Sequence, residues 1–275
     1  MRRVPPDGHG KILENMPVTG KYSMLAKFRR LLCLLLILAA EGAIARETLV
    51  IGVEGLYYLP VSSYENGVYA GYARDLFDAF ARDRGYAIEY RALPVPRLYA
   101  SFFEGELDFK FPDNANWKQD QRAGRRIHYS DPVAAFIDGT STPAGKQVDH
   151  PDQIRRLGTM GGFTPRAWMD RIEAGRIRLS ENTRLDALVR QALAGRVDGV
   201  YASVAVINYQ LDNVLKRPGA LVFNPALPYS RDNYHLSSIR HPEILAEFND
   251  WMRKNRDRVA ALKLRYGVEK GVTGN

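Results

Sequence analysis

The chain has 275 residues, 45% hydrophobic and 25% charged, with 23 glycines and 15 prolines dispersed along it. That balance fits a folded globular protein and excludes a fibre or an intrinsically disordered chain. The formal charge is +8, but residues 1–45 hold seven Lys or Arg against three Asp or Glu. The remaining 32 basic and 28 acidic residues are too even and too scattered to mark a nucleic-acid surface.

In chain order, the first feature is a targeting segment. Lys27, Arg29 and Arg30 precede an apolar run from Leu31 to Ala40, and Ala43-Ile44-Ala45 offers small residues at −3 and −1 of a cleavage site. The expectation is secretion with cleavage after Ala45. The apolar run is too short to span a bilayer, which takes about 20 apolar residues. Met24 stands just before the charged part, so Met1 and Met24 are both candidate starts. The only cysteine, Cys33, falls inside this run without a lipoprotein box around it, so the mature chain has no thiol for a disulfide, a metal or a nucleophile.

After residue 46 the pattern alternates between short apolar runs and helical periodicity. Thr48 to Val53 reads as a buried strand, Ala73 to Arg84 as a helix with Leu76, Phe77 and Phe80 on one face, and Tyr86 to Tyr90 as a strand. A helix from about Pro96 to Glu104 ends at Gly105, and Leu107 to Phe111 is the next strand. This β-α-β-α-β order predicts a largely parallel sheet flanked by helices.

Residues 139–152 are polar and turn-rich, and the same grammar then restarts. Leu157 to Met160 reads as a strand leading to Gly161-Gly162-Phe163-Thr164-Pro165, with Thr164 as N-cap and Pro165 at the first helical position. Thr183 and Asp186 have capping-box spacing ahead of Leu185, Leu188, Val189 and Leu193, and Val197 to Tyr201 is the following strand. Tyr234 to Ile239 is a further strand. Pro242 to Asn255 is a helix that buries Ile244, Leu245, Phe248, Trp251 and Met252. Two tandem α/β units predict two lobes. If the tail packs on the first, the chain crosses between them near residues 138–143 and 225–231.

The ordered set of segments then carries a resemblance. LVIGVEGLYYLP at 49–60, Gly71-Tyr72-Ala73-Arg74-Asp75-Leu76, Gly105-Glu106-Leu107-Asp108, Tyr129-Ser130-Asp131-Pro132, Gly161-Gly162-Phe163-Thr164 and Ala194-Gly195-Arg196-Val197-Asp198 follow one another across residues 47–265. In this order they resemble the bacterial extracellular solute-binding proteins of family 3, the periplasmic receptors of polar amino-acid ABC importers. The resemblance implies a two-lobed α/β clamshell of the type II periplasmic-binding fold, each lobe a mostly parallel sheet flanked by helices, with two hinge crossings. Residues 46–140 with 230–275 would form lobe 1, and residues 141–229 lobe 2. It further implies a monomer in the periplasm that takes a small-molecule ligand, passes it to an ABC permease in the inner membrane and needs no cofactor or metal.

Carried over position by position, the resemblance nominates a ligand site. Glu54, Tyr57 and Tyr58 follow the first strand, and a tyrosine face can cover a ligand's apolar part or a cation. Arg97 stands near another cleft position. The third-strand loop contributes Asp113, Asn114 and Trp117, then Arg122, whose planar guanidinium matches a ligand carboxylate, with Arg125 and Arg126 as competitors. Gly162, Phe163 and Thr164 stand in the second lobe, followed by Tyr201 and Ser203. Members of the family usually place an Asp at the position of Ser203, where it pairs with an α-ammonium. A serine cannot neutralise that charge, which puts a standard α-amino acid in doubt unless Glu54 or Asp113 takes over. The ligand implied is small, polar and carboxylate-bearing. The alternative is an enzyme on the same scaffold, like the periplasmic cyclohexadienyl dehydratases, with Glu54 or Asp113 as the acid. No Walker loop, nucleophile elbow or H-E-x-x-H spacing is present in the sequence.

Overall fold

The computed structural model describes residues 46–272. The expected signal sequence, its cleavage after Ala45, the alternative start at Met24 and the lone Cys33 lie outside the described residues.

Strand β1 (Thr48–Glu54) is buried at almost every position from Leu49 onward, as a central strand covered on both faces must be. It leads to three short strands, β2 (Tyr57–Tyr58), β3 (Ser62–Glu65) and β4 (Val68–Ala70), which pair into a small antiparallel sheet. Helix α1 (Tyr72–Arg84) follows, buries Leu76, Phe77 and Phe80 as their spacing predicts, and ends on left-handed Gly85. Then come β5 (Ala87–Leu93), α2 (Val95–Phe103), β6 (Phe109–Asp113), the one-turn α3 (Gln119–Arg122), β7 (His128–Tyr129) and the long β8 (Ala134–Pro143). The first parallel group is β5-β1-β6.

The second group is formed by β9 (Arg156–Met160), the short α4 (Met169–Glu173), β10 (Arg178–Asn182), α5 (Leu185–Leu193) and β11 (Gly199–Ser203). These strands run parallel in the order β10-β9-β11. Helix α6 (Val204–Tyr209), which continues as a wider turn to Val214, leads to β12 (Leu221–Phe223) and β13 (Ser230–Ser238). Two helices, α7 (Pro242–Lys254) and α8 (Arg256–Tyr266), close the described chain.

Strands β8 and β13 join the two groups. The first half of β13, Ser230 to Tyr234, pairs antiparallel with β8, and its second half pairs with β6 across a bulge between His235 and Ser237. β8 in turn pairs with β11. The architecture is thus a two-lobed α/β fold in which the chain leaves along β8 and returns along β13. The tail belongs with the first group: α7 buries the stripe Ile244, Leu245, Phe248, Trp251 and Met252, and Phe248 meets Phe80 of α1 edge to face with centroids 5.1 Å apart.

Several local expectations are corrected. Thr164 does not cap a helix: Pro165 adopts ψ 72, outside the helical region, so only a 3₁₀ turn (Arg166–Trp168) follows before α4. The main-chain carbonyl of Thr164 accepts the N–H of Arg166 at 2.8 Å instead. Helix α5 begins at Leu185 rather than Thr183, because Arg184 is extended and Asn182 Oδ1 accepts its N–H at 3.0 Å. β13 starts four residues before Tyr234, since the polar run Ser230–Asn233 finds its partners in β8.

Candidate functional site

The carboxyl ends of strands from both groups converge on one cavity, the position in which open α/β sheets bind ligands. It holds about 600 Å³, its mouth included. β1 ends there in Glu54, and the next turn brings Tyr58 of β2. The first turns of α2 supply Val95 and Tyr99, β6 supplies Pro112, and the following loop Trp117 and Lys118. The opposite wall is Gly162, Phe163 and Thr164 after β9, with Tyr201 and Ala202 of β11. Asp138 of β8 and Tyr234 of β13 complete it from the joining strands.

The two walls touch. Ser203 N–H donates to Tyr58 Oη at 2.9 Å, and the rings of Tyr58 and Phe163 meet edge to face at 5.4 Å. The Arg166 guanidinium donates to the Asn116 carbonyl and, at 3.2 Å, to Gln119 Oε1. Gly162 has φ +84, and a Cβ there would come within 3.1 Å of the Val95 Cβ, so glycine serves both the left-handed turn and the close approach.

The electrostatics divide into a satisfied layer behind the wall and an unsatisfied one within it. Behind it, Lys110 is fully buried, with Nζ 2.6 Å from the Pro112 carbonyl, 3.2 Å from Asp113 Oδ1 and 4.0 Å from the Tyr99 ring centroid. Burial pulls its pKa down, while Asp113 and Glu54 pull the other way. Asp113 also receives both terminal nitrogens of Arg122, the Ser237 hydroxyl at 2.6 Å and the Asn114 N–H at 2.8 Å. Arg122 donates further to the Trp117 carbonyl and, at 2.7 Å, to Tyr129 Oη. Burial pulls its pKa down, but Asp113 together with Tyr129 and Tyr99 holds it above the usual value.

Within the wall stand two carboxylates, Glu54 and Asp138, with no hydrogen bond or ion pair to any described residue. Burial pushes Glu54, only 6% exposed, up to about 7, with Lys110 opposing and Asp113 adding. Asp138 is raised to about 7 by burial, then by Glu54 and Asp232. Burial also holds the hydroxyls of Tyr58, Tyr99 and Tyr234 well above their ordinary pKa, so they remain neutral.

Of the residues nominated from sequence, Glu54, Tyr58, Trp117, Gly162, Phe163, Thr164 and Tyr201 line the cavity. Asp113 and Arg122 are placed in the ion-paired layer behind it. Asn114 is tied to the Asn233 carbonyl at 2.9 Å and to the Asn116 N–H at 2.8 Å. Tyr57 is half-buried outside the lining, and Arg97 is exposed on α2. Ser203 sits just behind the lining, 1% exposed, its Oγ without a partner. Sequence reasoning missed Tyr99, Lys110, Lys118, Tyr234 and above all Asp138. The last had a signal: it is an acid in the otherwise uncharged strand AAFIDGTSTP. Among the described residues no group of three or more His, Cys, Asp or Glu is placed to hold a metal ion, and no helix is long and apolar enough to cross a membrane.

This fold and cleft define a class: the chain has the type II periplasmic-binding-protein fold. It is similar to the arginine-, lysine-, histidine-binding protein ArtJ of Geobacillus stearothermophilus, with TM-score 0.64, 17% identity, and 80% of this chain and 95% of that one covered. It is also similar to a histidine kinase sensor domain with similarity to periplasmic binding proteins, with TM-score 0.66, 18% identity, and 80% of this chain and 96% of that one covered. An ancestral amino-acid-binding protein described as a precursor of cyclohexadienyl dehydratase superposes with TM-score 0.63, 17% identity, and 82% and 98% covered. No protein-family model and no curated protein sequence matches the chain.

Proposed function

We propose that the protein is a periplasmic solute receptor that closes its two lobes on a small polar molecule and delivers it, as a monomer, to an ABC permease. The observation that carries this reading is the Tyr58–Ser203 hydrogen bond across a cavity whose walls come from both strand groups. Lobes built from residues 46–140 with 230–275 and from 141–229 would swing where β8 and β13 cross. Ligand contacts to both walls then favour the closed state by their differential affinity. Export after cleavage at Ala45 accords with this role. The carboxylate-bearing ligand expected from the family resemblance would meet Lys118 in the lining, since Arg122 is held by Asp113. The amino-acid-binding function of the similar structures supports a receptor.

One observation favours a second reading. Glu54 sits unpaired in the cavity with its pKa raised to about 7, a state suited to a general acid on a lyase of the same fold. A thermal-shift screen of the purified protein against amino acids, polyamines, dicarboxylates and aromatic acids separates the two. Stabilisation with the compound recovered intact by mass spectrometry supports the receptor, and conversion to a dehydrated product supports the lyase.

A further inference from the structure

Ser203, at the position where an acid was expected, is the antiparallel register partner of Asp138. Residues directly opposite in such a pair project from the same face of the sheet, with Cβ atoms roughly 5 Å apart. The carboxylate absent at 203 is therefore present one strand over, on β8. Two independent features mark the spot as incomplete without a guest. Asp138 lines the cavity with no partner among the described residues, and the Ser203 hydroxyl beside it is buried with none either.

The surrounding charges leave this carboxylate open. Lys110 and Arg122 are both spent on Asp113 of β6. Glu54 on β1 and Asp232 on β13 are acidic, and among the described residues the one cation in the lining is Lys118 after β6. The adjoining walls are the rings of Tyr58, Tyr201 and Tyr234, surfaces that accept a cation as well as a hydrocarbon.

We propose that Asp138 is the ligand's anchor: it pairs with a protonated amine or guanidinium, and the physiological solute is a small organic cation. The inference rests on the receptor reading above. Asp138 takes the cationic nitrogen, and Glu54 in the same lining supplies further negative potential. Lys118 selects for an additional anionic group only where the ligand carries one.

The test is calorimetric titration of the purified protein with putrescine, agmatine and arginine as cations, succinate as an anion, and 1,4-butanediol as a neutral analogue, with closure followed by small-angle scattering. At least one cation should bind and close the protein, and D138N should weaken that cation by about 100-fold. The double variant D138N/S203D, which returns a carboxylate to the same face, should regain at least tenfold, and it also serves where D138N alone does not fold. Equal binding of the cation by wild type and D138N, or a double variant as weak as D138N, overturns the anchor. Binding and closure with succinate but with no cation overturns the cationic ligand and leaves the receptor reading standing. Absence of closure with every compound overturns both.

Discussion

Tyr58 Oη accepts the Ser203 main-chain N–H at 2.9 Å, which ties the small sheet that follows β1 to the end of β11 in the second group. The N–H belongs to the last residue of β11, which is also the N-cap of α6, so it has no partner within that helix. Under the proposed hinge motion the bond forms only when the lobes are together, so it would contribute to the closed state and not to the stability of either lobe.

Y58F should lower ligand affinity roughly 5- to 10-fold, the loss of about 1 kcal/mol from one buried hydrogen bond, with little change in ligand-free melting temperature. Titration calorimetry beside a melting curve checks both halves. A large fall in ligand-free stability would place the bond in lobe folding instead.

Glu54 and Asp138 make the empty protein sensitive to pH. Their ordinary pKa values of 4.5 and 3.8 rise to about 7 in the folded state, so folding favours their protonated forms. The stabilisation is full below about pH 4 and is lost as pH rises through about 7. Lys110 on β6 opposes the loss at Glu54 while Asp113 adds to it, and Glu54 on β1 and Asp232 on β13 add to it at Asp138. Ligand-free wild type should melt at a lower temperature at pH 8.5 than at pH 6. D138N and E54Q should each be more stable than wild type at pH 8.5 and converge with it near pH 4.5, as differential scanning calorimetry would reveal; parallel curves would refute the assignment.

Arg122 should matter to folding whether or not ligand is present. R122A removes the guanidinium from Asp113 and Tyr129 and leaves a buried carboxylate with Lys110 as its one remaining cation among the described residues. Breaking one side of such a buried pair costs about 3–5 kcal/mol, or roughly 6–20 °C in melting temperature for a chain of this size. A variant that melts like wild type but no longer binds carboxylates would return Arg122 to the role of ligand clamp.

Much of the fold was legible in the chain because it is written locally. The apolar run at Thr48–Val53, the stripe Leu76-Phe77-Phe80 and the stripe from Ile244 to Met252 each state their own period, and the structure buries them accordingly. The elements misread were those whose neighbours decide: Thr164 precedes a proline that leaves the helical region, and the polar start of β13 becomes a strand through β8. In the site, Glu54, Tyr58 and Gly162–Thr164 could be named because they follow strand ends. Arg122 could be recognised as a guanidinium but not assigned its partner.

By itself the sequence determined the alternation of strands and helices, the two α/β units and the side chains able to face a ligand, since hydrophobic periodicity and turn residues act over a few positions. Tertiary structure alone decided which charges were already spent and which were left open. Asp113 draws Arg122 from α3 and Ser237 from β13 to join Lys110 of its own strand, and Asp138 meets Ser203 only through the pairing of β8 with β11. Such neighbours are set by sheet register, and register is a property of the assembled sheet.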